Sequence, residues 1–153
     1  MQLQIFSPIE QEAFNIREDR NEFFATNFIV DYSKQVEIRV EVFTFPEDSI
    51  AMNNPHVKNG LRIGQLMNNV NDSQVAMHQL GSEDLEFFGA DWATQALFSP
   101  KENFSLKSKC QLITLYKEEV GLVFVYLLFD SMEKYKDEWR YIIGFREEVE
   151  VAR

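Results

Sequence analysis

Lys109-Cys110-Gln111-Leu112-Ile113-Thr114-Leu115-Tyr116, followed by Lys117-Glu118-Glu119 and then Gly121-Leu122-Val123-Phe124-Val125-Tyr126-Leu127-Leu128-Phe129, is the stretch that decides the fold. The first segment suits a strand, and the three charged residues after it make a polar turn. The continuous Val/Leu/Phe/Tyr run that follows suits a strand buried on both faces. Strand, short turn, strand is a hairpin, and hairpin strands lie antiparallel. Counted from Val120 to Phe129, the apolar run is ten residues long, about half of what a membrane-spanning helix needs. A central or near-central strand is therefore expected here, and no bilayer crossing.

Working outward, Trp92 to Phe98 suits another strand. Further upstream, Val36, Ile38, Val40 and Val42 alternate with Glu37, Arg39 and Glu41 in the segment Val36 to Phe45. That period of two marks a half-buried strand with its acidic and basic side chains outward. Pro46-Glu47-Asp48-Ser49 stops it. Phe14-Asn15-Ile16 and Phe28-Ile29-Val30 are shorter strand candidates. The Asn-, Pro- and Gly-containing stretch Met52 to Gly60 reads as an exposed loop. Leu61 to Val70 carries Ile63, Leu66, Met67 and Val70 on one helical face, although Gly64 costs such a helix about 1 kcal/mol relative to Ala. Gln74 to Leu80 fits either a helix or a strand. Downstream of the hairpin, Asp130 and Glu133 form an acidic variant of a capping box. Met132, Tyr135, Trp139, Ile142 and Arg146 then recur at helical spacing. A terminal helix over about 131–143 is predicted, with Trp139 facing the sheet and Gly144 ending the helix.

Strands segregated from two main helices predict an α+β fold, an antiparallel sheet of roughly five to seven strands backed by helices. No repeat, low-complexity tract or Pro/Gly/Ser-rich linker divides the chain, so a single domain over 1–153 is expected. A chain of 153 residues buries roughly 68–70% of the surface its unfolded form exposes. The 14 Phe residues supply large rings for that core.

The order of segments resembles the PsbP-like family, which includes the DcrB-like bacterial proteins and the eukaryotic Ran-release factors. Gly89-Ala90-Asp91-Trp92-Ala93 leads into a strand, and the strand Cys110 to Tyr116 follows. Glu119-Val120-Gly121 turns into the apolar strand, and the predicted terminal helix closes with Ile142-Ile143-Gly144-Phe145. In that family a G-x-x-A strand precedes a hairpin whose last strand feeds a helix ending near I-L-x-S-F. Here the terminal S-F reads Gly144-Phe145, and the early P-x-x-W is replaced by Phe14 to Arg20. The resemblance implies a PsbP-like sandwich used to bind proteins or peptides. Some bacterial members act as chaperones or as accessory factors of secretion systems.

The net charge of −10 is uneven: residues 1–100 hold 15 acids and 6 bases, residues 101–153 hold 10 and 9. Such a surface repels phosphate backbones, so no nucleic-acid partner is expected. One cysteine excludes an intramolecular disulfide and fits a reducing compartment. The first residues lack the basic and long apolar regions of a secretory signal, and a cytoplasmic location is expected. The sequons at Asn71 and Asn103 then carry no weight.

Little in the sequence points to chemistry. His56, His78 and Cys110 lie far apart with no ligand spacing, so no metal or cofactor is expected. His56 and His78 read as surface residues, Cys110 as a small buried hydrophobe. Gly60-Leu61-Arg62-Ile63-Gly64 lacks the Lys-Ser/Thr of a phosphate loop. Glu83-Asp84-Leu85-Glu86 reads as a solvated acidic turn. The aromatic pairs Phe23-Phe24 and Phe87-Phe88 are the candidate partner-binding residues. If such a pair lies on a strand, its neighbouring rings point to opposite faces, and one ring leaves the core unless a helix or loop covers it. The function expected is a non-enzymatic interaction module with a protein or peptide partner, basic in character. Two alternatives are an acidic immunity-type inhibitor of a basic toxin and a small hydrolase with a cleft of Asp91, Glu86 and His78. The sequence leaves the oligomeric state open.

Overall fold

A computed structural model of the protein describes residues 2–5, 14–17, 28–32, 36–44, 54–71, 75–130 and 143–146. Its strands are β1 (Gln2–Ile5), β2 (Phe14–Arg17), β3 (Phe28–Tyr32), β4 (Val36–Thr44), β5 (Met77–Gln79), β6 (Trp92–Phe98), β7 (Lys109–Lys117), β8 (Gly121–Phe129) and β9 (Ile143–Arg146). Helix α1 spans Pro55–Leu66, prolonged by a 3-10 turn over Met67–Asn69, and α2 spans Ser82–Phe88. Seven strands form one sheet in the order β2-β3-β4-β8-β7-β6-β5, and every neighbouring pair is antiparallel. The fold is α+β. β1 and β9 make a separate antiparallel ribbon, Leu3 opposite Phe145.

The deciding hairpin forms where the sequence places it. β7 and β8 pair from Lys109 opposite Phe129 to Lys117 opposite Gly121. On its other side β8 pairs with β4 from Val36 opposite Phe129 to Thr44 opposite Gly121. β8 is thus the fourth of the sheet's seven strands, and all its residues are buried. A strand covered on both faces leaves no position for a polar residue, which is why its pattern does not alternate.

Helices cover both faces. On the first, Ile38, Val40, Ile113, Leu115, Val123, Val125, Leu127 and Phe129 pack with Phe88 of α2 and Phe145 of β9. On the second, Leu112, Leu122, Phe124, Tyr126 and Leu128 pack with Leu66 of α1 and Phe104 of the β6–β7 connection. Gly89 follows α2 at φ 65°, the left-handed conformation glycine adopts without a Cβ penalty. A Cβ at that position would also collide with the carbonyl oxygen of Phe145, so both the backbone angle and the approach of β9 demand glycine.

Several local expectations need correction. Residues 55–60 are the first half of α1 rather than a loop. The Asn54 side chain accepts a hydrogen bond from the Val57 N–H at 3.4 Å, and Pro55 sits in the first turn, where its missing N–H costs nothing. The helical geometry ends at Leu66 and tightens over Met67–Asn69, and Val70 forms an isolated bridge with Pro100. The ambiguous 74–80 segment supplies β5. Glu83, Asp84 and Glu86 belong to α2 rather than to a turn, with Glu83 and Asp84 in its first turn, where acids complement the helix dipole. The terminal helix falls on residues outside the description up to position 142, Trp139 included. Its predicted last residues do not continue it, because Ile143–Arg146 is strand β9.

Candidate functional site

The sequence pattern placed Glu37, Arg39 and Glu41 toward solvent, yet Arg39 and Glu41 are buried. A second covered face puts them under α1 and the β6–β7 connection. Burial of charge is costly unless partners replace water, and each has them. The Arg39 Nε donates to Glu37 Oε1 at 2.6 Å, and its Nη1 donates to the Phe104 carbonyl at 2.7 Å. Arg62, reaching down from α1, donates to Glu41 Oε2 at 2.7 Å, while the Tyr126 hydroxyl donates to Glu41 Oε1 at 2.8 Å. Burial pushes the Tyr126 phenol well above its ordinary value; the Glu41 carboxylate adds to this and Arg62 opposes it. Deeper along α1, the buried Asn59 donates to Thr94 Oγ1 at 3.0 Å and accepts from the Thr114 hydroxyl at 2.9 Å. These bonds fix α1 on the sheet.

The second face ends in an aromatic row. His56, in the first turn of α1, stacks on Trp92 with ring centroids 4.4 Å apart. Trp92 in turn lies 5.5 Å from Tyr116, its cross-strand neighbour. His56 is exposed, whereas Trp92 and Tyr116 are half-buried. Beyond this row the β7–β8 turn carries Glu118 and Glu119. Glu119 has φ 61° at the third position of the Lys117–Val120 turn, where a left-handed residue is usually glycine or asparagine. Asp91 fastens the turn: its Oδ2 accepts the Glu118 N–H at 2.7 Å and its Oδ1 accepts from the Lys117 ammonium at 3.1 Å. Partial burial pushes the Asp91 carboxyl up, but the Glu118 N–H and the Lys117 ammonium outweigh it and hold the group below its ordinary value. The Tyr116 phenol is raised, by burial first and then by Glu118, Asp91 and Glu119. Aromatic surface and negative charge therefore meet at this end, a combination suited to holding a cation.

The residues singled out from the sequence are dispersed. Phe87 and Phe88 sit on α2, not on a strand, with their rings edge to face at 5.5 Å. Phe88 is buried in the first-face core and Phe87 packs partly buried against it. Phe23 and Phe24 lie outside the described residues. His78 is exposed on edge strand β5, Glu86 is exposed on α2, and Asp91 is engaged with the β7–β8 turn. No hydrogen bond joins any two of these three. Cys110 is fully buried, and that burial pushes its thiol well above the ordinary value, Arg39 opposing and Glu37 adding. Asp130, the expected cap of the terminal helix, accepts the Ser108 N–H at 2.9 Å and lies 3.6 Å from Lys107. The amides it would cap are outside the description.

Among the described residues, no three His, Cys, Asp or Glu side chains are grouped to hold a metal ion. None of the described helices is long and apolar enough to cross a membrane. No protein-family model matches the chain, and neither the curated proteins nor the solved structures contain a significant match to it.

Sequence reasoning missed the Trp92–Tyr116 end for want of register. Nothing local to either residue says that they lie opposite each other. The signal present was the acids Asp91, Glu118 and Glu119, each near an aromatic residue at the end of a segment read as a strand.

Proposed function

We propose that this domain is a non-enzymatic interaction module, an intracellular adaptor or chaperone-like accessory protein that binds a basic protein or peptide segment. The observation that carries the reading is a set of large apolar side chains left exposed on an acidic chain: Val57, Leu61, Met77, Leu97 and Leu106, the last 88% accessible. Single exposed apolar residues are ordinary. Val57 and Leu61, however, lie one helical turn apart on α1, with Gly60 beside them and no atom near where its Cβ would stand. The two side chains are uncharged on a molecule of net charge −10, and they supply desolvation while acids elsewhere on the surface steer a basic partner. An antiparallel sheet with helices on both faces also accords with the PsbP-like sandwich that the sequence resembles. That likeness is a warrant for the class of function and not for a particular partner.

The test begins with a partner captured on the immobilised chain and then purified. Rising salt is expected to slow its association far more than it speeds dissociation, because exposed charges act mainly on the encounter. Leu61→Ser should speed dissociation. Specific turnover in a broad hydrolase screen, abolished by Asp91→Ala in a chain that still folds, would overturn the reading.

A further inference from the structure

The second face of the sheet uses one arrangement twice. Arg39 lies 5.2 Å from the centroid of the Phe104 ring and pairs with Glu37. Arg62 lies 5.6 Å from the centroid of the Phe124 ring and pairs with Glu41. In both places a guanidinium meets an aromatic ring and a carboxylate together, which suits its planar, weakly hydrated form. A third set of the same groups stands at the end of this face. There the stacked Trp92 and Tyr116 rings stand at strand ends that run directly into Asp91 and into the Glu118–Glu119 turn, which Asp91 holds through the Glu118 N–H. Lys117 is drawn to Asp91. Among the described residues, no lysine or arginine pairs with Glu118 or Glu119 or lies over either ring, and His56 covers one side of Trp92. Two sets are closed by the chain's own arginines; in the third, Glu118 and Glu119 are exposed and Tyr116 is half-buried.

We propose that this open end is a docking site for an arginine side chain of a partner protein, its guanidinium lying against Tyr116 and pairing with Glu118 and Glu119. The site deepens the interaction reading and rests on it. Charge complementarity selects the occupant: two unpaired carboxylates beside half-buried rings repel an acidic segment and leave a purely apolar one with no partner for the charges. Arginine is favoured over lysine because it can stack and pair at once.

The probe is the blocked peptide acetyl-Gly-Arg-Gly-Arg-Gly-amide, titrated into the full chain and followed by the amide signals of residues 116–119 and the Trp92 indole N–H. Saturable shifts confined to these groups are expected. Glu118→Gln/Glu119→Gln should weaken binding about fivefold, in line with two exposed ion pairs. Glu83→Gln/Glu86→Gln, which removes the same charge from α2, should leave binding unchanged. Near-ultraviolet dichroism verifies that both variants keep the fold. Equal weakening by the two double variants would reduce the effect to overall charge and overturn the proposal, as would an absence of shifts at residues 116–119. Equal affinity for the lysine counterpart of the peptide would overturn the assignment to arginine. A captured partner that still binds Glu118→Gln/Glu119→Gln at full strength would remove this site and leave the interaction reading standing. Failure to retain any partner would remove that reading itself.

Discussion

The two faces of the central sheet are packed from different materials. Among the described residues the first joins Ile38, Val40, Ile113, Leu115, Val123, Val125 and Leu127 to Phe88 and Phe145 without a fully buried polar side chain, the Gln95–Gln111 pair lying half-buried at its edge. The second interleaves its apolar residues with Arg39, Glu41, Thr94 and Thr114, and with Asn59 and Arg62 from α1. An apolar face is held by non-directional burial and tolerates shifts of register between helix and sheet. A face carrying buried charge holds its helix in one position only, since any slip strands a group without its partner. The first face therefore supplies stability, and the second fixes the placement of α1 and of the aromatic row at its N-terminal end.

The largest expected effect comes from breaking the second face. Arg62→Leu leaves the Glu41 carboxylate buried with only the Tyr126 hydroxyl of the two partners described here, and should cost about 3–5 kcal/mol. Replacing both groups, Arg62→Leu with Glu41→Met, should recover most of that loss, because it is the unpaired charge that is costly and not the absence of the pair. A denaturant series on the two variants checks this. A double variant as unstable as the single one would show that the pair contributes by itself. Next in size is Leu127→Ala on the first face, expected to cost about 3 kcal/mol through lost burial and the cavity left behind. No polar group is stranded there, so no second substitution of the Glu41→Met kind should rescue it. The contrast in rescue, more than the contrast in size, distinguishes the faces.

Much of this sheet was legible in the sequence. β6 starts and stops at the expected residues, because Trp92–Phe98 lies between Asp91 and Ser99, and β8 ends as expected before Asp130 but starts at Gly121, one residue inside the apolar run that begins at Val120. The alternation in β4 was also visible, but it says only that two faces differ. It cannot say whether the second faces water or a helix, which is how Arg39 and Glu41 came to be expected at the surface. The start of α1 was concealed by composition: Asn54, Pro55 and Gly60 are loop formers in general, yet the first two are a cap and a first-turn residue when a helix follows. α2 is only seven residues long, too short for its periodicity to show beside its acids. The candidate site was the least legible part. It depends on Trp92 standing opposite Tyr116 and on Asp91 reaching the next turn, and both follow from long-range pairing rather than from any local motif.

The smallest prediction sharpens the comparison within the second face, between carboxylates sealed beneath α1 and carboxylates held open at its end. Glu119 occupies a left-handed backbone position, φ 61°, where a side chain bearing a Cβ is strained and glycine is not. Nothing in the described hydrogen bonding or ion pairing of the turn uses its carboxylate, whereas the Val120 N–H to Lys117 carbonyl bond at 3.1 Å closes the turn through backbone alone. Glu119→Gly should therefore stabilise the fold by about 1 kcal/mol, read as a rise in the denaturant midpoint. If the open end binds arginine, the same substitution should weaken the peptide, because one of the two pairing carboxylates is gone. A gain in stability together with a loss of binding would mean that the strained acid is kept for its charge. A gain in stability with binding intact would leave Glu118 and the rings as the site, and a loss of stability would show that the Glu119 side chain supports the turn after all.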